Sequence, residues 1–272
     1  MFEKVVIVFK PVSECITLAQ EYYNELRKRG VRVDVLWVDE VKPGRLDDYE
    51  LIISIGGDGT LLRISWSTKD RPVLVLPVPC GRRTIFYEDI NKIPASNVID
   101  RVMNGNFYID RIEKIAACID NNEFHALNEI TILTQDFGKV LVTEVNILSP
   151  FIESSFIIEG DGVIVSTAAG SSAYALSVGA SMIEPGLSGI LFTPVNSMNL
   201  NMVPIFLHPY SKIFIRPRGG TNVYIDGIFI KSLKPKTLVK IYKLDKFMRI
   251  IRIGFRRDLV KKVLGTRTTL FK

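Results

Sequence analysis

An N-terminal α/β domain with a parallel sheet, followed by a β-rich, sandwich-like C-terminal domain, is the fold class that these 272 residues predict. Two observations carry that expectation. Through residue 106, short apolar runs alternate with helix-like stretches, the strand, helix, strand rhythm of a parallel sheet. From Phe107 to residue 247, β-branched segments are separated by turn residues, as in antiparallel strands. A hydrophobic content of 47% lets the chain bury one large core, or two smaller ones, without staples.

The elements follow in order. Val5 to Phe9 reads as a strand, Ser13 as the N-cap of a helix ending near Gly30, and Val31 to Val38 as the next strand. After Asp47-Asp48, the strand Leu51 to Ile55 runs into Gly56 to Thr60, a helix starts at Leu61, and Val73 to Val78 returns as a strand. The second half offers Ile112 to Ile119, an Asn121-Asn122 turn, Ile130 to Leu133, Val140 to Leu148, Phe156 to Ile158 and Val163 to Ser166. Ile190 to Phe192, Lys212 to Arg216, Val223 to Ile225 and Leu238 to Tyr242 continue it, interrupted by one helix expected from Ala173 to about Ala180. The expected division is 1–106, 107–247, and a tail, 248–272, that packs back on the N-terminal domain.

Composition narrows the chemistry. Three cysteines, Cys15, Cys80 and Cys118, are too few and too scattered for a disulfide framework and lack zinc spacing, so a reducing cytoplasm is expected. No apolar run is long enough to cross a bilayer, so no membrane partner is expected. Two histidines, His125 and His208, leave little room for a histidine-ligated metal or a Ser-His-Asp hydrolase. The net charge of +6 suits an anionic partner. Its Lys and Arg are spread along the chain apart from Arg256, Arg257, Lys261 and Lys262, so a phosphorylated small molecule satisfies it without nucleic acid.

Gly56-Gly57-Asp58-Gly59-Thr60 stands where a buried strand hands over to a helix, the place where backbone N–H groups and the helix dipole collect an anion. The glycines let the backbone approach a phosphate, and Thr60 is placed to cap the helix. Asp58 would repel such a ligand unless it shares a metal ion or takes a proton from a substrate hydroxyl, and either role means phosphoryl transfer. No Gly-Lys-Ser/Thr follows, as a Walker A loop needs, and the third glycine of a dinucleotide-binding fingerprint is missing, which disfavours hydride transfer. Gly-Asp-Gly also occurs as a plain tight turn.

Gly160-Asp161-Gly162 precedes a strand and then Ser166 to Ser177, where small hydroxyl residues open a helix and offer donors with little bulk to a phosphate or ribose. A hairpin turn followed by an ordinary cap is the plainer alternative. Asn128-Glu129 lies in an apolar stretch, so one of the pair points inward, as a ribose or adenine contact or as a satisfied core pair.

Gly56-Gly57-Asp58-Gly59-Thr60, Asn128-Glu129, Gly160-Asp161-Gly162 and Gly170-Ser171-Ser172-Ala173-Tyr174 through Ser177 together resemble the NAD kinase family in kind, order and spacing, over roughly Ile52 to Gly227. The first motif is shared with diacylglycerol and sphingoid lipid kinases; the segment Ser166 to Ser177 is what narrows it. The resemblance implies an active site in the cleft between the two domains and a homodimer or homotetramer in which a neighbouring C-terminal domain completes the dinucleotide site. It implies NAD as acceptor, ATP, another nucleotide or inorganic polyphosphate as donor, and a divalent cation, Mg²⁺, with no protein ligand assigned. By position, Asp58 resembles the base that activates the adenosine ribose 2′-hydroxyl, and Gly56, Gly57, Gly59 and Thr60 the loop around donor phosphates, with Arg63 one turn on. Asn128 and Glu129 would hold ribose, Asp161 the far end of the dinucleotide, and Ser172, Ala173, Tyr174 and Ser177 its adenine and nicotinamide side. Lys139 falls where the family often has a basic residue near NAD.

The chain also departs from the pattern. Where family members commonly read Asn-x-Gly-x-Leu-Gly-Phe-Leu, it has Pro79-Cys80-Gly81-Arg82-Arg83-Thr84-Ile85-Phe86, so the aromatic expected near adenine is displaced or missing. Thr167-Ala168-Ala169-Gly170-Ser171-Ser172 replaces Thr-Pro-Thr-Gly-Ser-Thr, Glu159 stands where a basic residue often precedes Gly-Asp-Gly, and Met198 and Val203 replace a His and an Arg. A kinase of the same superfamily with another hydroxyl acceptor, or a nucleotide-binding protein without turnover, is the alternative.

Overall fold

The computed structural model describes residues 2–68, 71–81, 83–254 and 259–268. Arg82, Arg256 and Arg257, singled out above, lie outside that set. The chain divides into two compact units, Met1–Arg111 with Met248–Lys272, and Ile112–Phe247.

The first unit opens with β1 (Lys4–Phe9), α1 (Ser13–Lys28), β2 (Arg32–Trp37), β3 (Leu51–Gly56), α2 (Asp58–Thr68), β4 (Leu74–Pro79) and α3 (Ala95–Met103). The strands are parallel in the order β2-β1-β3-β4. Val5 to Phe9 and all of β3 are buried, because central parallel strands are covered on both faces, hence their unbroken apolar runs. On α1 the buried residues are Cys15, Ala19, Tyr22 and Leu26, a single stripe at helical spacing. β2 and β3 flank β1 on opposite sides, so the winding reverses between the carboxyl ends of β1 and β3, where open α/β sheets take their ligands.

Three local expectations change here. Ser13 is not the N-cap of α1: Val12 holds that position without a side-chain cap, and the Ser13 carbonyl accepts the Thr17 hydroxyl instead. Thr60 is likewise no cap, because α2 already starts at Asp58 and Thr60 is buried in its first turn. The cysteines are not all unpaired: Cys15 and Cys80 form a disulfide with Cα atoms 5.7 Å apart. Their separation of 65 residues hid it, since Cys15 follows β1 and Cys80 follows β4, and only the strand order brings those ends near.

The second unit runs through β5 (Tyr108–Ile119), which begins in the first unit, then β6 (Asn122–Ala126), β7 (Glu129–Thr134), β8 (Leu141–Leu148), β9 (Glu153–Gly160), β10 (Gly162–Thr167), α4 (Tyr174–Ser177) and β11 (Ile190–Val195). β12 (Ile205–Leu207), β13 (Lys212–Pro217), β14 (Thr221–Ile225), β15 (Ile228–Leu233) and β16 (Val239–Arg252) complete it. One antiparallel sheet has the order β12-β11-β10-β7-β14-β15. The other pairs β6 with β5, β5 with β16, β16 with β13, β13 with β8 and β8 with β9. Ile130, Val165, Phe192 and Val223 from the first sheet meet Ile115, Val145, Ile213 and Ile241 from the second in one core, the alternating inward residues of a sandwich. Each fully buried Val, Ile or Phe there contributes about 1.5–3 kcal/mol.

The helix expected from Ala173 to about Ala180 is shorter. A 3₁₀ turn, Ala169–Ser172, leads into α4, which ends at Ser177, and the Ala180 N–H turns back to the Ala175 carbonyl at 3.1 Å. The last residues of β16 belong to the first unit, where Arg249 and Ile250 pair in parallel with Leu74 and Val75 of β4, and α5 (Leu259–Thr268) follows.

Candidate active site

In the first unit the Gly-rich loop closes β3 at the reversal point of the sheet and delivers Asp58 as the first residue of α2. The Asp58 N–H donates to the Arg83 carbonyl at 2.9 Å. Gly57 must be a glycine, because a Cβ there would stand 2.5 Å from that same oxygen. The Ile85 and Phe86 N–H groups, at the centre of the turn Thr84–Tyr87, donate to Oδ2 and Oδ1 of Asp58, each at 3.1 Å. The Tyr87 hydroxyl donates to the Gly57 carbonyl at 2.8 Å and lies 2.9 Å from the Ser54 hydroxyl, fixing the loop from below.

Burial pushes the Asp58 carboxyl above its ordinary range; the Phe86 and Ile85 amides, then Lys262 and Arg83, pull it back down. Each carboxylate oxygen accepts one amide and keeps a lone pair, so the group can still take a proton from a hydroxyl. Around it, Thr60 packs against Gly56, whose Cβ would lie 2.3 Å from Thr60 Oγ1, while nothing stands within 4 Å of a Cβ on Gly59. Gly59 is therefore the open side of the loop.

In the second unit Asn128 and Glu129 are both buried at 6% exposure, and Asn128 Oδ1 and Glu129 Oε2 have no hydrogen-bond partner among the described residues. Buried polar atoms are rarely left so. Ser166 sits directly opposite Glu129 on the neighbouring strand, on the same face, and its hydroxyl is equally unpartnered. Burial, then the charge of Asp226, raises the Glu129 carboxyl to about 8. Gly170 brings the Ser-rich segment onto this pair: a Cβ there would stand 2.1 Å from the Asn128 carbonyl oxygen. The Thr167 hydroxyl donates to Leu127 O at 2.7 Å and accepts the Gly170 N–H at 3.0 Å.

The remaining expected residues fall into two groups. Ser172, Ala173, Tyr174 and Ser177 continue from Gly170 through the 3₁₀ turn and α4, with Tyr174 and Ser177 exposed. Asp161, between β9 and β10, accepts Asn196 Nδ2 at 2.7 Å. Arg63 places its guanidinium 4.7 Å from the Trp66 ring centroid, and Lys139 pairs with Asp136 in an exposed turn. Phe86 and Tyr87 are both buried, so neither offers a free ring face.

Four residues escaped the reading: Tyr87, Asp226, Arg252 and Lys262. Asp226 accepts the N–H groups of Leu127, Asn128 and Glu129 at 2.8, 2.7 and 3.1 Å, which fixes the Asn-Glu pair. In sequence it is the Asp of an Asp-Gly hairpin turn, indistinguishable from a turn former. Among the described residues no three His, Cys, Asp or Glu side chains group as a metal cage.

Comparison with known proteins defines the class: a phosphotransferase with an alcohol acceptor. Residues 13–107 match the family model described as ATP-NAD kinase N-terminal domain, and residues 127–253 the ATP-NAD kinase C-terminal domain. The chain is 33% identical over 222 residues to the NAD kinase of Thermococcus gammatolerans, covering 79% of this chain and 77% of that one. It is 28% identical over 272 residues to that of Thermococcus kodakarensis, covering 94% and 95%. Among solved structures, an Archaeoglobus fulgidus NAD kinase in complex with ATP aligns with a TM-score of 0.76 at 22% identity over 96% of each chain. Yeast NADH kinase complexed with NADH aligns at 0.83 and 19% identity, over 99% of this chain and 89% of that one. The chain belongs to the NAD kinase family.

Proposed function

We propose that this chain is an NAD kinase that moves the terminal phosphoryl group of ATP to the 2′-hydroxyl of the adenosine ribose of NAD, with Asp58 as general base. The Asp58 carboxylate takes the hydroxyl proton as the ribose oxygen bonds to phosphorus, and the bond to the bridging oxygen breaks to release the nucleoside diphosphate. Magnesium enters as part of the Mg²⁺-nucleotide substrate, carried mainly by phosphate oxygens. Gly56, Gly57 and Gly59 line the donor phosphates, while Asn128, Glu129 and the segment to Ser177 hold the dinucleotide.

One observation carries the reading: a carboxylate whose basicity is raised by burial stands on an open glycine loop at the reversal point of the sheet. The unpartnered Asn128 and Glu129 oxygens supply the polar groups that a ribose needs better than an acyl chain would. A cytoplasmic homodimer or homotetramer, sized by light scattering, belongs to the same proposal. The test is purified protein with NAD, NADH or a lipid alcohol, a panel of ATP, other nucleotides and polyphosphate, and Mg²⁺, with products identified by mass. NADP from NAD, abolished by excess chelator, is the expected result. If NAD and NADH stay unphosphorylated while another alcohol reacts in an Asp58-dependent way, the acceptor is wrong.

A further inference from the structure

Lys262, on α5 near the far end of the chain, returns to the turn that holds Asp58. Its ammonium donates to the Tyr87 carbonyl at 2.7 Å and to the Thr84 carbonyl at 3.4 Å, and pairs with Asp89 at 2.8 Å. Thr84 and Tyr87 are the outer residues of the turn, closed by the Tyr87 N–H on the Thr84 carbonyl at 3.1 Å. Its inner residues, Ile85 and Phe86, give the two N–H groups that grip the Asp58 carboxylate. One side of the turn is therefore held by a cation and the other by the base.

Arg252 completes the hold by donating to the Phe86 carbonyl at 2.5 Å while its guanidinium pairs with Asp110 at 2.9 Å. The Lys262 side chain is only 14% exposed, so water screens its charge weakly. Asp89, its carboxylate partner, is 67% exposed and worth little as a counter-charge.

We propose that Lys262 is a positioning residue for Asp58: by fixing the two outer carbonyls of the turn it sets the two inner amides that aim the carboxylate. The proposal rests on the reading of Asp58 as the base. Two consequences separate it from a merely structural role. The ammonium acts on charge as well as shape, since it favours the ionised carboxylate alongside the Phe86 and Ile85 amides and Arg83, against the burial that opposes it. Also about the turn stand the Tyr87 phenol, whose ionisation burial pushes up, the Arg252 guanidinium with its partner Asp110, and the buried Glu88 carboxyl, which accepts the Ile253 N–H at 2.9 Å. Loss of Lys262 should therefore move the acidic limb of the rate profile to higher pH, and misaim the base.

The experiment is the pH dependence of NADP formation by the full chain and by Lys262→Met and Lys262→Arg, with circular dichroism to verify folding. Lys262→Met should lower kcat by up to about 100-fold, the scale of a base misplaced by an ångström, with KM for NAD little changed. Its acidic limb should lie above that of the wild type, and Lys262→Arg should keep the wild-type limb. A folded Lys262→Met with the wild-type kcat and limb overturns the proposal. Equal losses in both variants without any movement of the limb do the same, because they mark a structural contact only. Should Lys262→Met not fold, Lys262→Arg decides: a limb that moves although the cation is kept is incompatible with the proposal. Wild-type protein that phosphorylates neither NAD nor any other alcohol would instead remove the reading of Asp58 itself.

Discussion

The carboxylate of Asp226 accepts the backbone N–H of Asn128 at 2.7 Å, and the same side chain also takes the N–H groups on either side of it. A hairpin-turn residue thereby sets where the Asn128 and Glu129 side chains point. Asp226→Asn keeps the oxygen that serves Asn128 and Glu129 but turns an NH₂ toward the Leu127 N–H. It should cost about 1–3 kcal/mol for the buried donor left unpaired. The KM for NAD should rise while that for the donor stays put, and denaturant titration with steady-state kinetics reads both.

Glu129 and Asp226 predict a stability that falls as pH rises. Burial, with Asp226 as a near charge, raises Glu129 to about 8. Burial raises Asp226 to about 6 against the pull of three amides and Lys114. Between the ordinary carboxyl range and these values the native state binds more protons than the unfolded chain, so ΔG of unfolding decreases with pH. The contribution is fully present below about pH 4 and lost as pH passes the folded values. Glu129→Gln should flatten this slope and raise the melting temperature at pH 9, by about 2–4 °C for each kcal/mol recovered. Thermal melts from pH 5 to 9 with the same slope in both proteins would contradict it.

Much of this was legible in sequence because the signals were local. Val5 to Phe9 and Leu51 to Ile55 read as buried strands since nothing polar interrupts them, and Gly56 to Thr60 read as a strand-to-helix handover. Contacts that depend on topology were not legible. Cys15 meets Cys80 only because β1 and β4 lie in one sheet, and Asp226 reaches Asn128 across 98 residues. Lys262 stood out only as a tail charge, because what it binds are main-chain carbonyls, which leave no trace in composition.

Gly170→Ala tests the seating of the Ser-rich segment. The added Cβ would meet the Asn128 carbonyl oxygen at 2.1 Å, and its other near neighbours are also Asn128 backbone, which has no flexible end to swing away. The segment must shift by more than an ångström, so the KM for NAD should rise at least tenfold with the donor KM unchanged. An unaltered NAD KM would separate Ser172 to Ser177 from the dinucleotide.

Asp58→Asn carries the proposal's central claim, and its two effects can be told apart. The side-chain oxygen of asparagine can accept the N–H of either Ile85 or Phe86, but its NH₂ must then face the other donor. That unpaired amide should cost about 1–3 kcal/mol of stability, visible as a lower melting temperature. The loss of the base should cost roughly 10²–10⁴-fold in turnover. At a temperature below the measured melting transitions of both proteins the stability loss leaves the variant folded, so the rate loss there reports chemistry alone. NAD binding, followed calorimetrically, should survive, because the groups assigned to the dinucleotide lie in the second unit. Turnover within tenfold of the wild type, in a variant that melts lower as expected, would mean that Asp58 holds the Thr84–Tyr87 turn without acting as the base.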